Sequence, residues 1–148
     1  MSYLDDTLLP GEQVAFRTYL HWVVFARAVL VGVPGAVLLM GEEPLRWIGV
    51  GLMVFAAVLW IAAYFERRTS EFAVTNKRII VKVGILQRRT VEMLLRQVEA
   101  LEVNQDIVGR MFDYGTLVIV GTGGTREPFL RISDPLGFRR AAQAASAQ

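Results

Sequence analysis

Few residues in this chain have the types or the spacing that catalysis needs. His21 is the only histidine and stands beside Trp22 at the edge of an apolar run, so neither a Ser-His-Asp arrangement nor a two-histidine metal site can be drawn. Cysteine is absent, which removes disulfides, thiolate metal sites and a thiol nucleophile, and fits a reducing compartment. Glu92, Glu99, Glu102, Asp106 and Asp113 alternate with apolar residues, the pattern of solvated faces, and no pair is spaced for acid–base work. The stretch Gly121–Thr125 precedes a strand-like segment and has no lysine at its end, so it reads as a hairpin turn and not a phosphate loop. No enzymatic activity, cofactor or metal is expected. What remains is electrostatic: Arg67 and Arg68 adjoin a long apolar segment, and Arg88 and Arg89 follow the turn residue Gly84.

The segment that would position the first of those arginines is Trp47–Phe65, which carries no charge and ends abruptly at Glu66-Arg67-Arg68. As a helix it is about 28 Å long, close to the roughly 30 Å hydrocarbon core of a bilayer. Trp47 at one end and Trp60 and Tyr64 near the other suit the interfacial levels. A chain of 148 residues has too little other material to wrap a helix that is apolar on every side. A second apolar run covers about residues 20–40. Its one charge, Arg27, is close enough to an end to snorkel, Pro34 beside Gly35 predicts a kink, and His21 beside Trp22 is expected at headgroup level. Ala28, Gly32 and Ala36 recur every four residues and form a small-residue face suited to helix packing, within the chain or against another subunit. A transmembrane hairpin with helices at about 20–40 and 47–65 is therefore predicted.

Charge then orients the hairpin. The link Gly41–Arg46 carries two acids and one base, whereas Arg17, Arg27, Arg67 and Arg68 flank the opposite ends. The positive-inside rule places both termini in the cytoplasm. The opening MSYLDDTLLPGEQ has no basic residue, unlike a cleavable signal peptide, so the mature chain is expected to start near Met1 with residues 1–19 as an N-terminal cytoplasmic segment. From Glu66 onward there are 13 Lys or Arg against 9 Asp or Glu, a mild excess that suits anionic lipid and is too sparse for nucleic acid. If the turn after Gly84 points back at the bilayer, Arg67, Arg68, Arg88 and Arg89 lie near the headgroups. Each is then worth on the order of 1 kcal/mol of attraction to an anionic leaflet.

Beyond Thr69 the pattern changes to period two with frequent turn signals, the mark of a small β domain. Glu12–Tyr19 is open between strand and helix. Strands are read at Glu71–Val74 and Arg78–Val83, joined by a tight turn at Thr75-Asn76-Lys77 with Asn76 suited to positive φ. Further strands are read at Leu86–Met93, Val98–Gln105, Thr116–Val120 and Glu127–Ile132. Thr116–Val120 is apolar on both faces, as a central strand should be. Asp106–Phe112 reads as one helical turn, and Gly115 as a tight turn with positive φ. Ser133 or Asp134 as N-cap, with Pro135 at the first helical position, starts a C-terminal helix that frays after about residue 142.

The pieces Val74-Thr75-Asn76-Lys77-Arg78, Gly84 with Arg88 or Arg89, Val98-Glu99, Gly109-Arg110, Tyr114-Gly115, Gly121-Thr122-Gly123-Gly124 and Asp134-Pro135 form a recognisable set, together with Pro10-Gly11-Glu12 and His21-Trp22 upstream. The sequence resembles the membrane-anchored bacterial pleckstrin-homology (PH)-like family (YdbS-like, formerly a domain of unknown function), over nearly its whole length. The resemblance implies a membrane protein of the bacterial inner membrane: a two-helix transmembrane hairpin plus a mainly-β PH-like sandwich or barrel over about residues 66–142 with a C-terminal helix. It also implies homo-oligomers. Eukaryotic PH domains often bind phosphoinositides through a basic loop between their first two strands; the corresponding turn here, Thr75–Arg78, is too tight for that. Two functions follow as expectations. One is an interaction or scaffolding module assembling with itself or with another membrane protein at the cytoplasmic face. The other is a lipid or small-ligand sensor that binds anionic membrane lipids.

Overall fold

The computed structural model describes residues 7–84 and 89–147. Strand β1 (Val14–Tyr19) is followed by a 3-10 turn (Trp22–Phe25), helix α1 (Ala26–Leu38) and helix α2 (Leu45–Thr69). Strands β2 (Glu71–Thr75), β3 (Arg78–Val83), β4 (Arg89–Leu94) and β5 (Val98–Asn104) come next. Helix α3 (Ile107–Phe112), strands β6 (Tyr114–Gly121) and β7 (Arg126–Ser133), and helix α4 (Pro135–Ser146) complete the order. These elements fall into two units: a β unit, made of the chain up to His21 and from Thr69 onward, and a helical unit, Trp22–Arg68.

In the β unit, β1 to β4 form one antiparallel sheet in sequence order and β5 to β7 form a second. β6 lies in the middle of its sheet and buries every second residue: Gly115, Leu117, Ile119 and Gly121. Phe72, Val74, Ile79 and Val81 from the first sheet, Leu117, Ile119 and Ile132 from the second, and Phe138 from α4 are fully buried. Edge-to-face pairs Phe72–Phe129 (5.8 Å between centroids) and Phe16–Phe138 (6.3 Å) run between the first sheet and, respectively, β7 and α4. Asp134 caps α4 by accepting the Gly137 N–H at 2.8 Å, with Pro135 as the first helical residue.

Several readings of the sequence change. Glu12–Tyr19 resolves as strand over Val14–Tyr19, pairing with β2 so that Phe16 faces Val74 and Tyr19 faces Glu71. The segment expected to stand apart at the N-terminus is thus part of the β unit, because Phe16 and Thr18 extend the core face of β2. The first two strands are therefore β1 and β2, and the connection between them is the whole helical unit. The tight turn Thr75–Arg78 joins β2 to β3 instead. Asn76 is not among the positive-φ residues. It fastens the N-terminal segment: its Oδ1 accepts the Gln13 N–H at 3.1 Å and its amide donates to the Gly11 carbonyl. Gly115 is ordinary extended backbone, and the left-handed turn falls on Asp113 (φ 57°). Gly115 is required for space: a Cβ there would sit 2.7 Å from Gln105 and 2.8 Å from the Asn104 carbonyl. Of the strand expected over Leu86–Met93, the described part is Arg89–Leu94, and Leu86–Arg88 lie outside the described residues.

The first sheet is covered on its outer face too. Ala73 and Ile80 are fully buried there with Val14 packed against them, so β3 is apolar on both sides at its centre. The N-terminal segment is held at this sheet by a charged latch. Buried Glu12 accepts from Arg78 through both carboxylate oxygens at 3.0 Å and from the Thr75 hydroxyl at 2.7 Å. Arg78 also donates to the Thr7 carbonyl at 2.8 Å and to Glu92 at 2.6 Å. Burial alone would raise the Glu12 pKa. The hydrogen bonds from Arg78, the Leu9 N–H and Thr75, with the Arg78 charge, outweigh it and hold the carboxyl below its ordinary value.

In the helical unit, α2 is the helix long and apolar enough to cross a membrane. The run expected as a spanning helix over residues 20–40 is shorter, Trp22–Leu38. Leu20 and His21 are kept by the β unit, where Leu20 bridges Ile132 and the His21 N–H donates to the Arg131 carbonyl at 2.8 Å. At the other end Met40 and Gly41 close turns onto Val37 and Leu38. The unit therefore holds one helix of full spanning length and a shorter partner.

The latch sets a pH dependence with a definite sign. Because the folded Glu12 pKa lies below the unfolded one, its stabilisation is fully present above about pH 4.3, the ordinary glutamate value, and is lost as pH falls through the lower folded value. Glu12→Gln should destabilise the β unit by about 1.5–3 kcal/mol near neutral pH, from the loss of charged hydrogen bonds. In thermal melts of the full chain, the difference between wild type and variant should shrink as pH falls below that value.

Candidate functional site

The unusual geometry of the β unit gathers where the chain passes into the helical unit. Beyond Tyr19, the His21 ring is buried and stacks on Tyr114 at 5.1 Å, so it is packed inside the β unit and not displayed beside exposed Trp22. Its backbone partner, Arg131, has φ 59° and sits where the β6–β7 register shifts, a bulge that lets Leu130 point outward. Asp113 and Asp134 are the other non-glycine residues with positive φ among those described, and the Asp134 N–H donates to the Asp113 carbonyl at 3.0 Å. Backbone strain of this kind concentrates at functional positions.

Between β5 and β6, α3 is a short, firmly capped helix. Asp106 accepts the Gly109 N–H at 2.6 Å, and Asp113 ends the helix in the left-handed region. Gly109 is the buried residue of α3, and a Cβ on it would lie 2.5 Å from the Tyr114 carbonyl. Ile107, Val108, Met111 and Phe112 are all exposed. Shallow hollows lie in the β unit, the first of them beside these elements. One is polar and lined by Gln105, Asp106, Tyr114 and Arg131. The other, about 280 Å³, lies between β5 and α4 and is lined by Leu95, Val98, Leu101 and Ala142. In the first, the Gln105 amide and the Asp106 carboxylate already serve the Tyr114 carbonyl and the Gly109 N–H.

A four-stranded and a three-stranded antiparallel sheet closed by a C-terminal helix is the arrangement that the resemblance led us to expect. The family model described as "Bacterial PH domain" matches residues 22–146. The chain belongs to the bacterial PH domain family. That membership makes the β unit a PH unit, a module of the interaction or lipid-binding kind. No curated protein and no solved structure matches the chain.

The residues singled out from sequence are distributed over both units. Arg67 and Arg68 lie in the last turn of α2, with the Arg68 guanidinium over the Tyr64 ring at 5.4 Å. Arg89 opens β4 in the PH unit and pairs with Glu127 of β7, joining the two sheets. Arg88 lies outside the described residues. On α1, Ala28 is buried and Gly32 faces Ala56 of α2, whereas Ala36 is exposed. Gly35 takes that place: it is buried, and a Cβ on it would meet Leu52 at 3.0 Å and Met53 at 3.3 Å. The face follows the 3.6-residue period, 28, 32, 35, from which a strict four-residue repeat drifts away. On α2 the tightest point is Gly49, where a Cβ would lie 2.8 Å from the Leu39 nitrogen and 2.9 Å from the Gly35 carbonyl. Sequence reasoning passed over Gly35, Gly49 and the outward face of α3. The signal for the last was present: four large apolar residues in six positions cannot all turn inward.

Two glycines on one helix separate packing from propensity. Gly49→Ala should loosen the α1–α2 contact and destabilise the helical unit by about 1–3 kcal/mol, the range for overpacking. Gly51, with open space around its Cβ position, should tolerate alanine or gain up to about 1 kcal/mol of helix propensity. Thermal unfolding of the two variants in detergent checks the contrast.

Proposed function

We propose that this is a membrane-anchored interaction module of the bacterial inner membrane. The helical unit crosses the bilayer as a two-helix hairpin. The PH unit assembles with copies of itself, or with another membrane protein, at the cytoplasmic face. The observation that carries this reading is the inverted burial of the helical unit. The buried residues of α1 and α2 are all small, Ala28, Gly35, Gly49, Ala56 and Ala63, while Leu30, Val37, Val54, Phe55, Val58 and Ile61 are exposed. Water penalises such a surface, whereas lipid accepts it and small residues let helices approach closely. Only 17% of the most apolar stretch of α2 is buried. Trp22–Leu38 is about 26 Å long if helical throughout, within reach of a locally thinned bilayer.

Arg17, Arg27, Arg67 and Arg68 against Glu42 and Glu43 support cytoplasmic termini. Arg67 and Arg68, with Arg88 and Arg89, are the proposed contacts to anionic headgroups; Arg89 would exchange Glu127 for a phosphate, a small loss for an exposed pair.

Two measurements test the reading. A single cysteine at Glu43 should react with an impermeant reagent in intact cells and one at Ser146 should not; the reverse pattern would overturn the topology. Mass measurement of the detergent- or nanodisc-extracted protein should give a discrete oligomer without bound ligand. A monomer holding one lipid would replace assembly with sensing.

A further inference from the structure

Among the described residues, the exposed apolar surface of the PH unit is confined almost wholly to one end. Apart from Leu9, every exposed large apolar side chain described in that unit lies where the chain leaves at His21 and returns at Thr69. Internal contacts of the PH unit place them there. Tyr19 ends β1 opposite Glu71, and His21 is held by the Arg131 carbonyl and the Tyr114 ring. α3 runs through Asp113 directly into Tyr114, and Leu130 adjoins Arg131. The Asp134 N–H on the Asp113 carbonyl brings the start of α4, with exposed Leu136, to the same end. The opposite end, at the β6–β7 turn Thr122–Gly124, is polar.

This display is built firmly. The Asp106 and Asp113 caps fix α3, and the close approach at Gly109 seats it with glycine inward and large side chains outward. Ile107 is 79% exposed, Met111 75% and Leu130 61%. Side chains so exposed project instead of lining a groove, the form suited to entering a fluid phase and not to seating a strand or a partner helix. His21 and Thr69, the two points at which the chain joins the helical unit, both belong to this end of the PH unit, and the helices they lead into carry apolar outward side chains.

We infer that α3, with Leu130 and Leu136, is a membrane-interface contact that enters the headgroup–acyl boundary of the bilayer crossed by the helical unit. Exposed Arg110, between the apolar pairs of α3, meets anionic headgroups at that level. The PH unit is thereby held at the surface by a second attachment besides its covalent link, which fixes its tilt and presents a constant face for assembly. This inference rests on the anchoring proposed above.

The chain has no native cysteine, so single labels report cleanly. Full-length Met111→Cys, carrying an environment-sensitive fluorophore, is reconstituted into mixed phosphatidylcholine–phosphatidylglycerol vesicles. Lipids spin-labelled near the headgroups should quench it roughly twofold or more, and lipids labelled deep in the chains less, since an interfacial helix enters only about 5–10 Å. Thr122→Cys should stay unquenched. Phe55→Cys, at an exposed position along α2, reports anchoring through quenching by the deep label. Quenching at 55 without quenching at 111 overturns the interface contact and leaves the anchor standing. No quenching at 55 overturns the anchor and the inference with it. A blue-shifted label at 111 that lipid does not quench means that protein covers the patch, and also overturns the contact. Ile107→Cys, at the most exposed position of α3, repeats the measurement should the Met111 variant fold poorly.

Discussion

Tyr19 lies opposite Glu71 in one antiparallel ladder. Antiparallel neighbours stand about 5 Å apart, so the connection between β1 and β2 must begin and end within one strand spacing. That connection is the entire helical unit, and the register of two strands therefore governs what the helices can do. If they enter a bilayer they must cross it an even number of times, because both ends belong to one folded sheet. On the anchoring proposed above, the shorter run Trp22–Leu38 would supply the return beside α2. The two helices pack closely at Gly35 and Gly49.

The same ladder explains why the N-terminal segment is tied down so firmly. Among the described strands β1 is at the edge of its sheet, and the outer face of its neighbours carries Ala73 and Ile80. Leaving those exposed would forfeit about 25 cal/mol for each Å² of apolar surface. The Glu12–Arg78 latch, with Thr75 and Asn76, fastens the chain that precedes β1. A buried ion pair is a weak source of stability compared with apolar contact, but it is strict about geometry. Here it fixes where the strand begins, and so which residues of β1 face the core. The family match begins at residue 22, after β1, so the strand that completes the first sheet is evident from pairing alone.

At the other end of the ladder the constraints run outward. The bulge at Arg131, the left-handed Asp113 and Asp134, and the capped α3 all lie around His21. Each turns apolar side chains away from the core at the end where the chain passes into the helices. The PH unit thus has a latched end and a displayed end, and among the described residues only the second carries apolar surface of any extent.

Much of this was written in local sequence. The uncharged run Trp47–Phe65, the alternation of Arg78–Val83, the apolar Thr116–Val120 and the Asp134-Pro135 helix start are short-range patterns, and each formed the element that its period dictates. The family, too, was legible from turn residues spread along the chain. What tertiary structure decided was everything that depends on distant partners. Glu12–Tyr19 is equally readable as strand or helix until β2, more than fifty positions on, supplies the ladder. His21 has Trp22 beside it in sequence, but the groups that hold it are Tyr114 and Arg131, more than ninety positions away. Gly115 looked like a turn, and only the Gln105 and Asn104 atoms packed against it show that it is needed for space. The arginines were grouped by charge, yet charge alone could not foresee that Arg89 would meet Glu127 across two sheets. Period and charge are local properties that a chain carries wherever it goes; contact is not.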